Sequence, residues 1–467
     1  MKQVLALTTG LIFFTACAVG PNYKTPQTKM PAAWASPLMG GESTGSAELV
    51  DWWKNFGDPE LNALMTQAEQ SNLSVLMAEA RVREARAQEA VAAGGFGPSL
   101  SGATSYTRNR WGHNSFPPLP PGTPINYNLY NLGFDAAWEL DIFGGTRRTI
   151  EAAKAEMGAA IYGQRDVLIS LLAEVARNYI AARAFQQRLD ITRQNIEVEQ
   201  KILDLTNNRF QNGLSSDLDV QQATALLKAT QAQIPSLESG FQQSVYALGV
   251  LLGQQPGALL NELSKEERIP SLPPVVPVGL PSELLQRRPD IQRAERDLAA
   301  ATARIGVAKA DLFPKFSLTG MGGVESLSAN TWFDYASRYG SIGPSVQWEL
   351  FESGRIHANI KVQNARQEQA LDAYQQTVLV ALQDVDSALT DYAKEQVKRQ
   401  ALSESMQANK KALDLSTQLY KNGLIDFLHV LASERSLYMS QDALVQSDQA
   451  VSINLVQLYK ALGGGWQ

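Results

Sequence analysis

Residues 203–220 read LDLTNNRFQNGLSSDLDV and residues 413–430 read LDLSTQLYKNGLIDFLHV, and the kinship of these two stretches decides the fold. Leu203-Asp204-Leu205 falls on Leu413-Asp414-Leu415, and Asn212-Gly213-Leu214 falls on Asn422-Gly423-Leu424. The same shift of 210 residues carries Leu227, Leu248, Leu252 and Gly253 onto Leu437, Leu458, Leu462 and Gly463. Trp138-Glu139-Leu140 also meets Trp348-Glu349-Leu350, and farther upstream a shift of 216 brings Ala78-Glu79 onto Ala294-Glu295 and Pro98 onto Pro314. The chain is therefore one unit written twice, over residues 59–260 and 281–463. A linker at 261–280 carries Pro270, Pro273, Pro274 and Pro277, too many prolines for a helix.

Each unit reads as helix, strand, strand, long helix, returning helix. In the first, residues 59–93 are rich in Ala, Glu and Arg without internal Gly or Pro, which predicts one helix. Apolar residues then recur at three- and four-residue steps through Leu168, Leu172, Val175, Tyr179, Ala182, Phe185 and Leu189, predicting a helix over 147–211. The second unit repeats this over 355–421, with Leu379, Leu382, Val385, Leu389 and Tyr392. Helices this long, roughly 100 Å at 1.5 Å per residue, imply coiled-coil packing. Each stops at Asn-Gly-Leu, where Asn and Gly supply the left-handed turn of a helix C-terminus. Returning helices are predicted over 215–251, with a bend at Pro235, and over 425–461, ahead of a short tail at 464–467.

Between the helices the period changes from 3.6 to 2, with strands predicted at 98–111, 127–141, 314–327 and 337–350 and a Pro-rich hairpin loop at 116–124. Tyr130, Leu132, Phe134, Ala136, Trp138 and Leu140 share one face, against Asn131, Asp135 and Glu139 on the other. Ile342, Pro344, Val346, Trp348 and Leu350 oppose Ser341, Ser345, Gln347 and Glu349 in the same way. Such a two-faced sheet suits either a half-buried sheet or a membrane barrel with a wet lumen. Four strands cannot close on themselves, so a barrel needs eight strands from a dimer or twelve from a trimer, and twelve leave room for a channel. In that barrel Asp135, Glu139, Gln347 and Glu349 would line the lumen and favour cations; otherwise they are ordinary polar-face residues.

The N-terminus bears on the choice. Lys2, an apolar run from Val4 to Phe14, and Thr15-Ala16-Cys17 form a secretory signal peptide over 1–16 with a cysteine where lipoproteins are cleaved and acylated. Cys17 then carries N-acyl and S-diacylglycerol lipid, and residues 17–58 form an acylated, extended N-terminal segment. No later segment approaches the ~18 apolar residues of a transmembrane helix. The chain has 467 residues, a net charge of −6 and a pI near 5.4, with no basic excess to suggest nucleic acid. His113, His357 and His429 stand far apart, outside metal-ligand spacing, so no metal or other cofactor is expected. Neither a nucleophile elbow nor a Walker motif is present, and nothing in the sequence supports an enzyme.

Several stretches in order resemble the TolC superfamily, specifically its outer-membrane efflux lipoproteins of the OprM/NodT type. They are Cys17-Ala18-Val19-Gly20-Pro21-Asn22-Tyr23, then Trp52-Trp53 through Asp58-Pro59. Arg287-Arg288-Pro289-Asp290-Ile291 follows, running through Ala301-Thr302-Ala303-Arg304-Ile305-Gly306 to Phe313-Pro314, and last comes Tyr459-Lys460-Ala461-Leu462-Gly463-Gly464-Gly465-Trp466. The resemblance covers nearly the whole chain. It implies an α+β membrane protein, a homotrimer with a twelve-stranded β-barrel in the outer-membrane lipid, continued by a long periplasmic α-helical barrel. It also implies docking to a periplasmic adaptor (membrane fusion protein) and an inner-membrane transporter of the resistance–nodulation–division (RND) class. The function implied is the passive exit duct of a tripartite efflux pump for drugs or other small molecules. The same fold could serve protein secretion or metal-ion export.

Within that resemblance the turns Asn212-Gly213-Leu214 and Asn422-Gly423-Leu424 are expected to dock the adaptor, although they are also simply good turn chemistry. Asp219 matches a family position that places an acid in the closed tunnel mouth, and Tyr420 matches a tyrosine of the same gate. Asp217, Asp426, Leu428 and His429 lie beside them. A ring of Leu428 could seal the mouth, and His429 could add pH sensitivity. Ala432 stands where the family often has Asp, a departure that makes the gate less acidic. An acid beside a helix start also serves as cap or dipole compensation. Replacing Cys17 with Ser is expected to abolish acylation, read by intact mass as loss of the lipid adduct; a retained adduct refutes the assignment.

Overall fold

The computed structural model describes residues 18–36, 42–43, 49–112, 120, 122, 125–273 and 276–466. Cys17, Pro274 and most of the 116–124 loop lie outside the described residues. Helices α1 (Pro59–Ser71) and α2 (Leu73–Gly94) precede strands β1 (Ser99–Arg110) and β2 (Asn126–Leu140). Then come α3 (Gly145–Gln211), α4 (Asp217–Gln231) and α5 (Ile234–Leu251). After the linker and a single turn at Leu284–Arg287, the second half runs α6 (Pro289–Ala310), β3 (Lys315–Ser326), β4 (Arg338–Gln347), α7 (Arg355–Lys421) and α8 (Phe427–Ala461). Both α3 and α7 have 67 residues. The residues group into two compact units, one built on Val82–Ala159 and Ala294–Tyr374, the other on Gln27–Arg81, Ala160–Arg293 and Gln375–Gln467.

The first unit holds an antiparallel sheet in the order β1-β2-β3-β4. Register puts Tyr130, Phe134, Trp138 and Leu140 of β2 on one face. They are joined there by Leu100 and Tyr106 of β1, Phe316, Leu318 and Val324 of β3, and Ile342 and Val346 of β4. The opposite face carries Ser99 and Ser101, Asn131 and Asp135, Ser317, Thr319 and Glu325, and Ser341, Ser345 and Gln347. The strand expected over 337–350 stops at Gln347, which leaves Glu349 off the sheet. Its partner β3 begins only at Lys315, after Pro314, so no ladder remains for Glu349 to join. Instead Trp348 Nε1 donates to the Leu312 carbonyl at 3.1 Å and Glu349 Oε1 accepts from Gln347 Nε2 at 3.0 Å.

In the second unit the stripe of α3 forms the core: Leu172, Val175, Tyr179, Ala182 and Leu189 are buried. Trp52 stacks on Tyr459 at 5.2 Å and meets Trp53 and Phe56 edge-on. On α7, Val385, Leu389 and Tyr392 are buried but Leu379 is 63% exposed, because no other part of one chain covers that face.

Two helices expected to be continuous are broken. Asn72 separates α1 from α2 with extended backbone; its Oδ1 accepts from the amides of Ser74 and Val75 while its Nδ2 donates to the Leu251 carbonyl at 2.8 Å. The side chain thus starts one helix and ties it to the end of another, a gain that offsets the lost helical bonds. Residues 232–233 separate α4 from α5, and Pro235 takes a first-turn position in α5, where its missing N–H costs nothing.

Arg183 is a buried cation of this unit, 1% exposed. It pairs with Glu60, donates to Gln186 Oε1 and the Lys265 carbonyl at 2.8 Å each, and lies 5.0 Å over the Tyr179 ring. Gln186 Nε2 adds a 2.7 Å bond to the Leu263 carbonyl. These bonds anchor the start of the linker, which has little regular structure of its own to satisfy its carbonyls. Arg183→Ala is expected to cost about 3 kcal/mol, because Glu60 loses its cation and the Lys265 carbonyl its shortest donor. Limited proteolysis should then cut within 259–268; wild-type resistance there refutes the anchor.

Candidate functional site

Two places carry residues whose chemistry points to function, one in each unit. In the second unit, the turns after α3 and α7 share one construction. Gly213 and Gly423 adopt φ of +73° and +72°, a left-handed backbone that residues with a Cβ rarely take. Leu214 N donates to the Arg209 carbonyl and Leu424 N to the Leu419 carbonyl, at 2.8 and 2.9 Å. These bonds satisfy the last carbonyls of each helix. Asn212 Nδ2 turns back to the Asn208 carbonyl at 2.7 Å. The turns leave four leucines at matching places in solvent: Leu214 and Leu424 at 66% and 68%, Leu218 and Leu428 at 65% and 61%.

The flanking residues differ between the halves. Asp219 completes a capping box, its Oδ2 accepting from Ser216 N at 3.0 Å and its own N–H donating to Ser216 Oγ at 3.3 Å. Asp217 accepts from Gln221 at 3.3 Å, whereas Asp426 sits at the N-cap of α8 without a side-chain cap bond. His429, at the position equivalent to Asp219, is exposed. Tyr420 is buried at 4%, 5.5 Å from the Phe427 ring and 4.7 Å beneath the Arg209 guanidinium, which also donates to the Tyr420 carbonyl at 3.3 Å. Its hydroxyl is buried and has no hydrogen-bond partner among the described residues. Tyr420 and Asp219, grouped by sequence, are not bonded to each other; Arg209, Phe427 and Leu218 escaped that grouping. The mismatch of Arg209-Phe210 against Leu419-Tyr420 under the 210-residue shift was the available clue.

In the first unit the polar face of the sheet collects Asp135, Glu139, Asn131, Glu325 and Gln347. Asn131 Nδ2 donates to Glu325 Oε2 at 3.2 Å and to the Tyr339 hydroxyl at 3.3 Å. The apolar face is bounded by aromatic residues. Tyr106, Tyr130, Trp332 and Phe333 cluster towards one end, with centroids 4.9–5.6 Å apart. Phe143, Phe313 and Phe316 cluster towards the other. There Trp138 donates to the Phe96 carbonyl at 3.0 Å, the counterpart in the first repeat of the Trp348 bond to Leu312. From Tyr130 to Trp138 a strand covers about 27 Å, close to the apolar band of about 25 Å on a membrane barrel.

Among the described residues no group of three or more His, Cys, Asp or Glu could hold a metal ion, and no helix is long and apolar enough to cross a membrane.

The family described as "Outer membrane efflux protein" matches residues 64–254 and 280–464, the two repeats in turn. Nodulation protein T of Rhizobium leguminosarum bv. viciae is 31% identical over 460 residues, 97% of this chain and 92% of that protein. Pyoverdine export outer membrane protein OpmQ of Pseudomonas aeruginosa is 32% identical over 467 residues, 99% of this chain and 97% of its own. The solved structure of the outer-membrane channel OprN superposes with a TM-score of 0.89 at 35% identity, covering 96% of this chain and all of that one. With both repeats matched and relatives this similar along nearly their full length, the chain belongs to the outer membrane efflux protein family, whose members are passive channels of the outer membrane and not enzymes.

Proposed function

We propose that this outer-membrane efflux channel works as a homotrimer, the exit duct of a tripartite pump, anchored by lipid and gated at its helix turns. The observation that carries the reading is a four-stranded, two-faced sheet whose edge strands, β1 and β4, each leave their outer side unpaired among the described residues. Large apolar side chains stand exposed on one face, Leu100 at 73%, Ile342 at 80% and Val346 at 60%. Strands of 12, 15, 12 and 10 residues meet or exceed the 9–11 that a tilted membrane strand needs. Lipid does not tolerate open strand edges, so the sheet must be completed by other copies, and three copies give twelve strands around a channel. The polar face, Gln347 included, then lines the lumen, where the carboxylates of Asp135 and Glu139 bias the path toward cations.

The N-terminal segment supports the lipid anchor on Cys17. Val19 N donates to the Phe143 carbonyl at 3.0 Å, and Arg148 holds the Val19 carbonyl and Asn22 Oδ1 at 3.1 and 2.7 Å. Gly144, at φ +82°, leaves room for Ala18, which a Cβ there would meet at 2.7 Å. The residue following Cys17 is thereby fixed where β2 passes into α3, the edge of the apolar band, so an acyl chain on Cys17 enters the same leaflet.

The duct moves nothing by itself. An inner-membrane transporter, of RND type in this reading, loads it through a periplasmic adaptor, and the adaptor docks on the paired turns 212–214 and 422–424. Their exposed leucines offer it an apolar grip. Between cycles Asp217, Asp219, Tyr420, Asp426, Leu428 and His429 narrow the mouth. Three Asp219 carboxylates near one axis would draw cations and exclude anions.

Native mass measured in detergent is the direct test: three chains with three lipid adducts are expected, and a lipid-free monomer overturns the reading. For the gate, Asp219→Ala and Asp219→Asn should both raise single-channel conductance severalfold in planar bilayers. A rise with Ala alone traces the effect to the lost cap, worth about 1 kcal/mol, and removes Asp219 from the gate.

A further inference from the structure

Two carboxylates lie inside the apolar core that joins α3, α4, α7 and α8. Glu434 of α8 is 1% exposed and Glu199 of α3 is 3% exposed. Core residues flank both: Val430 and Leu437 stand one turn either side of Glu434, and Ile202 and Leu203 follow Glu199. One Glu199 oxygen accepts from Thr230 Oγ1 of α4 at 2.8 Å. The other, together with Oε1 of Glu434, is buried and has no hydrogen-bond partner among the described residues. From α7 this core receives Met406, Leu413 and Tyr420, none of them charged. Asn195, one turn before Glu199, is committed to Gln441 and to the Ile191 carbonyl. The charge that acts on Glu434 is that of Glu199, and no cation offsets it among the described residues. Two like charges cannot both persist in such a core; the inexpensive resolution is a bound proton.

We propose that Glu199 and Glu434 together hold a proton at neutral pH, and that this proton latches the α7–α8 hairpin onto the α3–α4 hairpin, keeping the turns closed. The second clause rests on the gate placed at those turns. Burial, followed by the Glu199 charge, pushes Glu434 up to about 8, and burial raises Glu199 as well. Because the packed state prefers the protonated carboxyl, its stability is fullest below the ordinary value of 4.5. Stability declines as pH rises toward about 8, beyond which the loss is complete. Tyr420 and Phe427 belong to the same core, so loosening it reaches the residues on either side of the 422–424 turn.

The test uses the full-length, lipidated protein, reading single-channel conductance in planar bilayers and Tm from about pH 6 to about pH 9. In the wild type, conductance should rise and Tm fall across that range, centred near the pH at which Glu434 titrates. Glu434→Gln keeps the shape without the charge, and both responses should vanish, with conductance staying low. Glu199→Gln should move the midpoint to lower pH, since Glu434 loses its repelling neighbour, and it serves alone if the first variant does not fold. A flat wild-type profile, or a Glu434→Gln profile that still rises, overturns the proposal. A Tm response lost in Glu434→Gln without any change in the conductance profile overturns the latch. A profile shifted by millimolar magnesium at fixed pH assigns the pair to a metal ion and also overturns it. If Asp219→Ala conducts normally while Glu434→Gln loses its pH response, the latch stands and only the gate residue is reassigned.

Discussion

Backbone hydrogen bonding in the absence of water is the constraint on which this protein depends. A strand bordered by lipid has no solvent to satisfy its N–H and C=O groups, and each chain supplies a sheet whose first and last strands lack a neighbour. A single copy therefore cannot be a stable membrane element. The exposed apolar face and the unpaired edges make the same demand from two directions, one for lipid and one for further strands. In the proposed trimer, oligomerisation is in this sense part of folding, because joining the copies removes the edges that would otherwise template aggregation.

The helical parts obey a different economy. Their long cores are satisfied by helix ladders, and the difficult places are the breaks. Asn72 and Arg288 sit at such breaks and Arg183 reaches one from within α3; each spends polar groups there, on the carbonyls of Leu251, Ala461 and Lys265 in turn. Arg288 bonds Asp290 and Asp384 and reaches the carbonyls of Ala381 and Ala461, gathering three separate backbone segments of its unit at one side chain. Buried cations of this kind add little net stability over an apolar replacement, but they penalise any other arrangement of the same segments.

The duplication, the long helices and the two faces of the strands were legible because they are periodic, and periodic patterns survive without knowledge of tertiary neighbours. What escaped was local and dependent on distant partners. Asn72 looked like an ordinary helical residue because its partner, the Leu251 carbonyl, lies far along the chain. Glu349 continued a perfect alternation past the point where Pro314 ended the partner strand. Of the site, the turns and their leucines were readable from Asn-Gly-Leu, whereas Asp219 reads in the structure first as half of a capping box. Glu199 and Glu434 were invisible, since a glutamate on a long polar helix looks like solvent-facing charge until a second hairpin covers it.

The paired turns have a consequence for stoichiometry. Backbone and leucines repeat at both turns, but Arg209-Phe210 and Asp219 in one half face Leu419-Tyr420 and His429 in the other. Any partner that reads only the shared elements finds two sites per chain and saturates at two copies. A partner that touches the flanking residues finds a strong site and a weak one, and fills them in order as its concentration rises. If the turns dock a partner as proposed, the duplication supplies two near-equivalent positions for it, and divergence at a few flanking residues suffices to rank them.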